Sequence, residues 1–274
     1  MENWRLIIDP PAGGAENMAT DEALLRSAAA GEGFFKPVLR LYGWKRPTVS
    51  IGCLQDASPF RGSGLPVVRR ITGGRAVLHD SEITYSVVAF SGSEKFSGGI
   101  SAAYSVVSKC IVAALKDTGV DARFSSARSG TGYMRSPACF STSTRFEILA
   151  GRRKIAGSSQ RRVKDAFLQH GSIITGIDRA LTARVFGAEV LEKSSCLSDF
   201  VETDPGDLRR ALVAKMSVGL DAFFTPASLS DSEKFMKEKL LKSRYSTDEW
   251  NLSRRAGRTA GGRTAEDIFS PLRG

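Results

Sequence analysis

The sequence predicts an α/β (α+β) fold of mixed, largely antiparallel sheets flanked by helices. Three observations point there. Apolar residues make up 42% of the 274, enough to bury a sizeable core. Short runs rich in β-branched and aromatic residues are punctuated by Gly and Pro, as strands are. Between and after them lie stretches with apolar residues near helical spacing.

Asn3–Ile8 (NWRLII) reads as a strand, stopped by Pro10, Pro11, Gly13 and Gly14. Asn17–Ala30 reads as a helix, with Met18, Leu24, Leu25 and Ala28 close to one face. Val38–Trp44 and Thr48–Gly52 read as strands joined through Lys45-Arg46-Pro47. Val67–Ile71 and Ala76–Phe90 are further strands flanking a Gly73-Gly74 turn. Ile100–Leu115 is a helix with Gly119 just beyond its end. Residues 125–138 are rich in Ser, Gly and Arg without periodicity and read as a long loop. Arg145–Ala150, a Gly151-Arg152 turn, Arg153–Gly157 and Ala166–Thr175 read as a meander. Asp178–Phe186, Asp207–Met216 and Asp231–Ser243 are helical. The pattern gives one catalytic-size domain, residues 1–250, and a basic Arg/Gly/Thr-rich tail, residues 251–274.

Composition narrows the function. No run approaches the roughly 18–20 apolar residues of a membrane span, and Met-Glu-Asn-Trp does not begin a signal peptide. The expectation is a soluble, cytoplasmic chain. Four dispersed cysteines without a CxxC pair, and only two histidines, argue against a zinc site, and no metal or cofactor is expected. Net charge is +10, of which the tail carries +3, with five arginines against two acids. Such a surplus points to an anionic partner, whether nucleic acid, membrane surface or acidic protein. No helix-turn-helix, zinc knuckle or aromatic RNA-binding signature accompanies it.

Four places carry candidate chemistry. In Arg69-Arg70-Ile71-Thr72-Gly73-Gly74-Arg75, paired glycines let the backbone approach a ligand and the arginines suit a phosphate or carboxylate. The bland reading is a tight turn beside solvated arginines. His79 and His170 each read first as hydrogen-bonded structural residues and second as catalysts. Cys139 ends the polar loop, whereas Cys53 sits at a strand end, Cys110 inside a helix and Cys196 between helices. Lys154 lies early on the strand after the Gly151-Arg152 turn. Alternation puts Lys154 and Ala156 on one face and Ile155 on the other, with small neighbours leaving room for the amine. An ammonium near a thiol favours the thiolate, so Cys139 and Lys154 form a candidate dyad.

Arg40–Gly52, Val68–Val87, Cys139–Ile173 and Arg244–Asn251 together resemble the lipoate/biotin protein ligase superfamily, in order and over most of residues 4–251. Within it the chain is most similar to the cysteine-dependent octanoyltransferases, through Cys139-Phe140 and Arg153-Lys154-Ile155-Ala156-Gly157-Ser158. The resemblance implies the ligase catalytic-domain fold. It implies transfer of octanoyl from octanoyl-acyl carrier protein to a lysine of a lipoyl-domain protein, commonly the glycine cleavage H protein, in lipoate biosynthesis. It implies Cys139 as acyl-thioester nucleophile and Lys154 as the group lowering its pKa. It places Arg70, Thr72, Gly73, Gly74, Arg75, His79, Gly157 and Ser158 around the acyl group. Arg75 stands where the superfamily's ligases often carry a third glycine, and no extra C-terminal domain is expected. Both favour a transferase over the alternatives, an ATP-dependent lipoate-protein ligase or an amidotransferase moving octanoyl from H protein to other lipoyl domains.

Overall fold

Strand β1 (Glu2–Ile8) ends just before Pro10 and Pro11, which donate no backbone hydrogen bond. Helix α1 (Gly14–Ala30) follows, then strands β2 (Val38–Tyr42), β3 (Thr48–Ile51) and β4 (Val67–Arg69). The run expected as one strand over 76–90 is two, β5 (Val77–His79) and β6 (Glu82–Phe90), because the chain leaves one sheet and enters another at Asp80-Ser81. Helix α2 (Gly99–Asp117) and strands β7 (Ala122–Phe124), β8 (Ile148–Ala150), β9 (Arg153–Val163) and β10 (Ala166–Ile174) complete the middle. Helices α3 (Arg179–Phe186), α4 (Glu189–Lys193) and α5 (Pro205–Leu220) precede strand β11 (Ala222–Pro226) and helix α6 (Asp231–Leu240). This computed structural model describes residues 1–31, 35–125 and 147–253.

The large sheet runs β11-β1-β2-β6-β10-β9-β8-β7, and a small one runs β4-β3-β5. Strand β1 pairs in parallel with β11 and β2, and β3 with β4; the other pairs are antiparallel. The mixed, largely antiparallel architecture is therefore present. Three strands exceed their sequence signal: β9, β11 and β7, the last not expected from the sequence. Strand β9 continues past Gly157 through the polar run Ser158–Arg162, held by its ladder with β10 and not by apolar alternation. Strand β11 was not expected; it is an edge strand that commits only Ala222 to full burial.

The two faces of the large sheet explain where a site forms. On one face Leu39, Leu41, Tyr85, Val87 and Phe167 join the main core with α2 and α5. Helix α2 is 19 residues long with a mean hydropathy of 1.3, more apolar than the sequence reading allowed. Its Ala103, Val107, Ile111 and Ala114 are spent in that core against Leu208, Leu212 and Met216 of α5.

The other face changes character along its strands. Val38, Val88 and Leu168 lie under α1, against a cluster with Met18, Leu24 and Leu25. One step on, Arg40, Ser86, His170 and Ser159 stand side by side across β2, β6, β10 and β9. The next row is Tyr42, Thr84, Ser172 and Gly157. A polar half-face is thus left for the small sheet to cover. That sheet is supported by its own core of Val49, Ile51, Ala57, Phe60 and Ala76.

The chain end straps the two parts together. Arg244 and Tyr245 bond the buried carboxylate of Glu22 on α1, at 2.7 and 2.6 Å. Asn251 Oδ1 accepts from the Arg69 amide at 2.9 Å, and Trp250 Nε1 donates to the Arg69 carbonyl at 2.8 Å. Asn251, assigned to the tail by the sequence, is buried in the domain; residues 254–274 lie outside the described residues.

Candidate active site

A cleft of about 540 Å³ lies between the polar half of the large sheet and the small sheet. Strand β9 supplies one of its walls, with Lys154, Gly157, Ser158 and Ser159. The turn before it places Gly151 at φ +61°, which glycine adopts without steric cost. Beyond the turn, Lys154 pairs with Leu149 and Ala156 with Ile148, so two steps along β9 match one along β8. Ile155 is the extra residue of a β-bulge. The bulge resets the alternation, and this corrects the expected face. Lys154 does not share its face with Ala156; its side chain lies over Gly157, where an added Cβ would come within 2.7 Å of Cε and 2.9 Å of Nζ.

Lys154 is buried and its Nζ donates to Glu147 Oε1 at 2.7 Å. Its carbonyl accepts from the Ser195 amide at 2.8 Å. Glu147 escaped the sequence reading because it precedes a three-residue strand and belongs to no apolar period. Cys139 lies outside the described residues. The other three cysteines are buried, and none lines the cleft. Burial in α2 pushes the Cys110 thiol up to about 11, which suits a packed, inert thiol.

Two hydrogen-bonded histidine chains form the floor. In the first, Ser159 Oγ donates to Thr72 Oγ1 at 2.8 Å, Thr72 meets His170 Nε2 at 2.7 Å, and His170 Nδ1 meets Asp21 Oδ2 at 2.8 Å. Burial depresses His170 below its ordinary value, more than the Asp21 carboxylate restores it. Burial alone would raise Asp21, but His170, Arg40 and Tyr42 together hold it below the usual carboxylate range. A neutral imidazole with its proton on Nδ1 satisfies every partner. Asp21 is also bonded by Arg40 at 2.8 Å and by the Tyr42 hydroxyl at 2.9 Å.

In the second chain Ser50 Oγ meets His79 Nε2 at 2.7 Å, and His79 Nδ1 meets Glu82 Oε1 at 2.8 Å. The indole of Trp44 stacks on His79 at 3.8 Å between centroids, 10° from parallel. Both histidines are therefore hydrogen-bonded structural groups and cleft-lining groups at once.

The glycine-rich motif holds the cleft roof. Arg70, Gly74 and His79 line it, with Gly157 and Ser158 opposite. Thr72 acts one layer behind, through His170 and Ser159. Gly73 and Arg75 do not line the cleft; their carbonyls each accept from Arg70 Nη2 at 2.8 Å. Arg69 and Arg70 both turn donors to main-chain carbonyls. Arg69 donates to the carbonyls of Gly52, Trp250 and Asn251, and Arg70 to those of Ser50, Gly73 and Arg75. A buried guanidinium carries five donors, and main-chain oxygens of the loop answer them. Ser158 is held from behind by the Tyr85 hydroxyl at 2.6 Å.

Residues 14–217 match the family model of the lipoyl protein ligase A/B catalytic domain. The chain belongs to this family. Relatives within the lipoyl ligase family include octanoyltransferase LipM of Carboxydothermus hydrogenoformans, 36% identical over 269 residues, covering 91% of this chain and 98% of that protein. LipM of Bacillus subtilis is 33% identical over 277 residues, covering 92% and 99%. Among lipoyl ligase structures, protein Ta0514 of T. acidophilum with bound lipoic acid superposes with a TM-score of 0.79 at 28% identity, covering 92% of this chain and 99% of that one. Lipoate-protein ligase A bound with ATP superposes at 0.78 and 27% identity, covering 93% and 100%.

Proposed function

We propose that this acyltransferase of lipoate biosynthesis moves octanoyl from octanoyl-acyl carrier protein to a lysine of a lipoyl domain, through a thioester on Cys139. The observation that carries the reading is Lys154: a buried amine, aimed by a bulge into the cleft, in a chain whose curated relatives are octanoyltransferases. Cys139 thiolate attacks the octanoyl thioester carbonyl; the C–S bond to the carrier breaks and its thiolate takes a proton. The acceptor amine then attacks octanoyl-Cys139: the new C–N bond forms, the C–S bond to Cys139 breaks, and the departing thiolate takes up the proton the amine loses. Two bulky carriers need never be bound together. Lys154, charge-paired to Glu147, is the group that favours the thiolate. The main-chain amides near Gly157-Ser158 suit the oxyanion. Burying the acyl chain contributes roughly 5 kcal/mol, at about 0.8 kcal/mol per methylene. The basic surface suits acidic carrier and lipoyl domains, the glycine cleavage H protein among them. The domain acts in the cytoplasm, with residues 254–274 as a basic tail.

Intact-mass spectrometry after mixing with octanoyl-carrier protein tests this. The expected gain is one octanoyl group, removed by hydroxylamine and absent in Cys139→Ser. The ATP-bound neighbour favours a second reading, an ATP-dependent ligase. Full activity of Cys139→Ala with free lipoate and ATP would establish that reading instead.

A further inference from the structure

The hydrogen-bonded chain through His170 holds a buried titratable group that the transfer chemistry above leaves unused. Ser159 and His170 line the cleft, with Thr72 and Asp21 behind them. Ser159 Oγ gives its one proton to Thr72 Oγ1 at 2.8 Å. With the imidazole proton on Nδ1 toward Asp21, Thr72 Oγ1 donates to His170 Nε2 at 2.7 Å. Every donor in the chain therefore points away from the cleft. What Ser159 turns toward the cleft is a lone pair.

Neighbouring groups are poorer proton acceptors. Lys154 and Arg70 are cations. The parallel chain begins at Ser50 Oγ, which meets His79 Nε2 but also accepts from Arg70 Nη1 at 3.1 Å. A guanidinium at its head opposes an incoming proton. His170 instead has the Asp21 carboxylate on Nδ1 at 2.8 Å, held in place by Arg40 and Tyr42 of β2. The charged and titratable groups acting on His170 are Asp21 of α1, Arg70 of the glycine-rich motif and His79 of β5. Burial depresses His170, so Nε2 is unprotonated at rest.

The chain also ends in the right place. Gly157, which lies under the Lys154 side chain, and Ser159 are alternate residues of β9 on one face, about 7 Å apart. An amine that attacks a thioester must give up a proton, and a thiolate stabilised by an ammonium is a weak base for it.

We propose that Ser159, Thr72 and His170 form the relay that carries this proton: Ser159 Oγ takes it from the attacking nitrogen, and His170, acting through Thr72, holds it. The proposal rests on the octanoyl-transfer reading above. As the C–N bond forms, the nitrogen's proton passes to Ser159 Oγ, the Ser159 proton to Thr72 Oγ1 and the Thr72 proton to His170 Nε2. As the C–S bond breaks, the same transfers run in reverse and the departing thiolate becomes a thiol.

Rapid-quench mass spectrometry separates octanoyl loading from its discharge to a lipoyl domain. Thr72→Val keeps the shape of the side chain and cuts the relay. At saturating acceptor, its ratio of discharge rate to loading rate is expected to fall about 100-fold, the lower end of what a general base contributes. Thr72→Ser keeps the hydroxyl and is expected to restore the ratio. Discharge by the wild type is expected to slow in D2O, and to slow less in Thr72→Val. Ser159→Ala, which removes only the cleft end, is expected to lower the same ratio, and it carries the test if Thr72→Val misfolds. A loaded variant that discharges at the wild-type rate overturns the relay, as does an equal loss in both steps or a Thr72→Ser no better than Thr72→Val. A wild type that never loads octanoyl overturns the thioester reading, and the relay with it.

Discussion

Gly157 is where a single atom decides the geometry of the candidate site. An added Cβ meets the far end of a flexible lysine, so Gly157→Ala should fold and displace the Lys154 amine. A displacement near 1 Å costs on the order of 100-fold in rate. Stopped-flow acylation of Gly157→Ala should show that loss, with a melting curve lowered far less than that of Lys154→Met. The Lys154–Glu147 pair separates stability from chemistry. Lys154→Met strands a buried carboxylate and should cost about 3–5 kcal/mol. Adding Glu147→Gln should restore denaturant stability and leave acyl-enzyme formation abolished. His170 makes a pH prediction. Its folded pKa is depressed, so its stabilisation is complete above the unfolded value of about 6.5 and is lost as pH falls. Asp21 and Glu82, held below the usual carboxylate range, do not titrate there. The melting temperature should therefore fall from about pH 6.5 to 5 in the wild type, and less in His170→Gln.

Strands β9 and β3 each aim the site by a departure from regularity. On β9, one extra residue turns Lys154 from the side of Ala156 to the side of Gly157. At the end of β3, Gly52 faces the glycine-rich loop so closely that a Cβ would lie 2.1 Å from the Gly74 carbonyl oxygen. Backbone cannot yield as a side chain can. Gly52→Ala should therefore destabilise the protein by about 1–3 kcal/mol, and the loop over the cleft should move with it. Chemical denaturation and octanoyl loading, measured on the same variant, check both parts. The contrast with Gly157→Ala, where only a lysine tip must shift, makes the pair a direct comparison of the two kinds of close approach.

At the scale of the whole molecule, charge and the C-terminal strap matter. The net charge of +10 should steer acidic carrier domains, an effect that salt screens. The KM for octanoyl-carrier protein should rise severalfold between low and moderate salt, with kcat nearly constant; a flat KM would remove steering from the account. The strap from Arg244 to Asn251 spans Glu22 on α1 and Arg69 at the start of the glycine-rich motif. It joins helix, small sheet and cleft roof into one packed unit.

Much of this was legible in the residues. Alternating β-branched runs, helical spacing and turn glycines laid out most of the elements, because those signals are local, though not β7, α4 or β11. The motif resemblance marked Arg70, Gly74, His79, Lys154, Gly157 and Ser158, all of which meet at one cleft. What the chain order could not reveal depended on partners far away in sequence. Asp21 reaches His170 across 149 positions and Arg69 meets Asn251 across 182. Glu147, Glu82 and His170 gained their places only from burial beside particular neighbours. Local pattern determines which segments become strands or helices. Only the packed sheet, with its bulge and its buried polar rows, decides where each charged group points and what it touches.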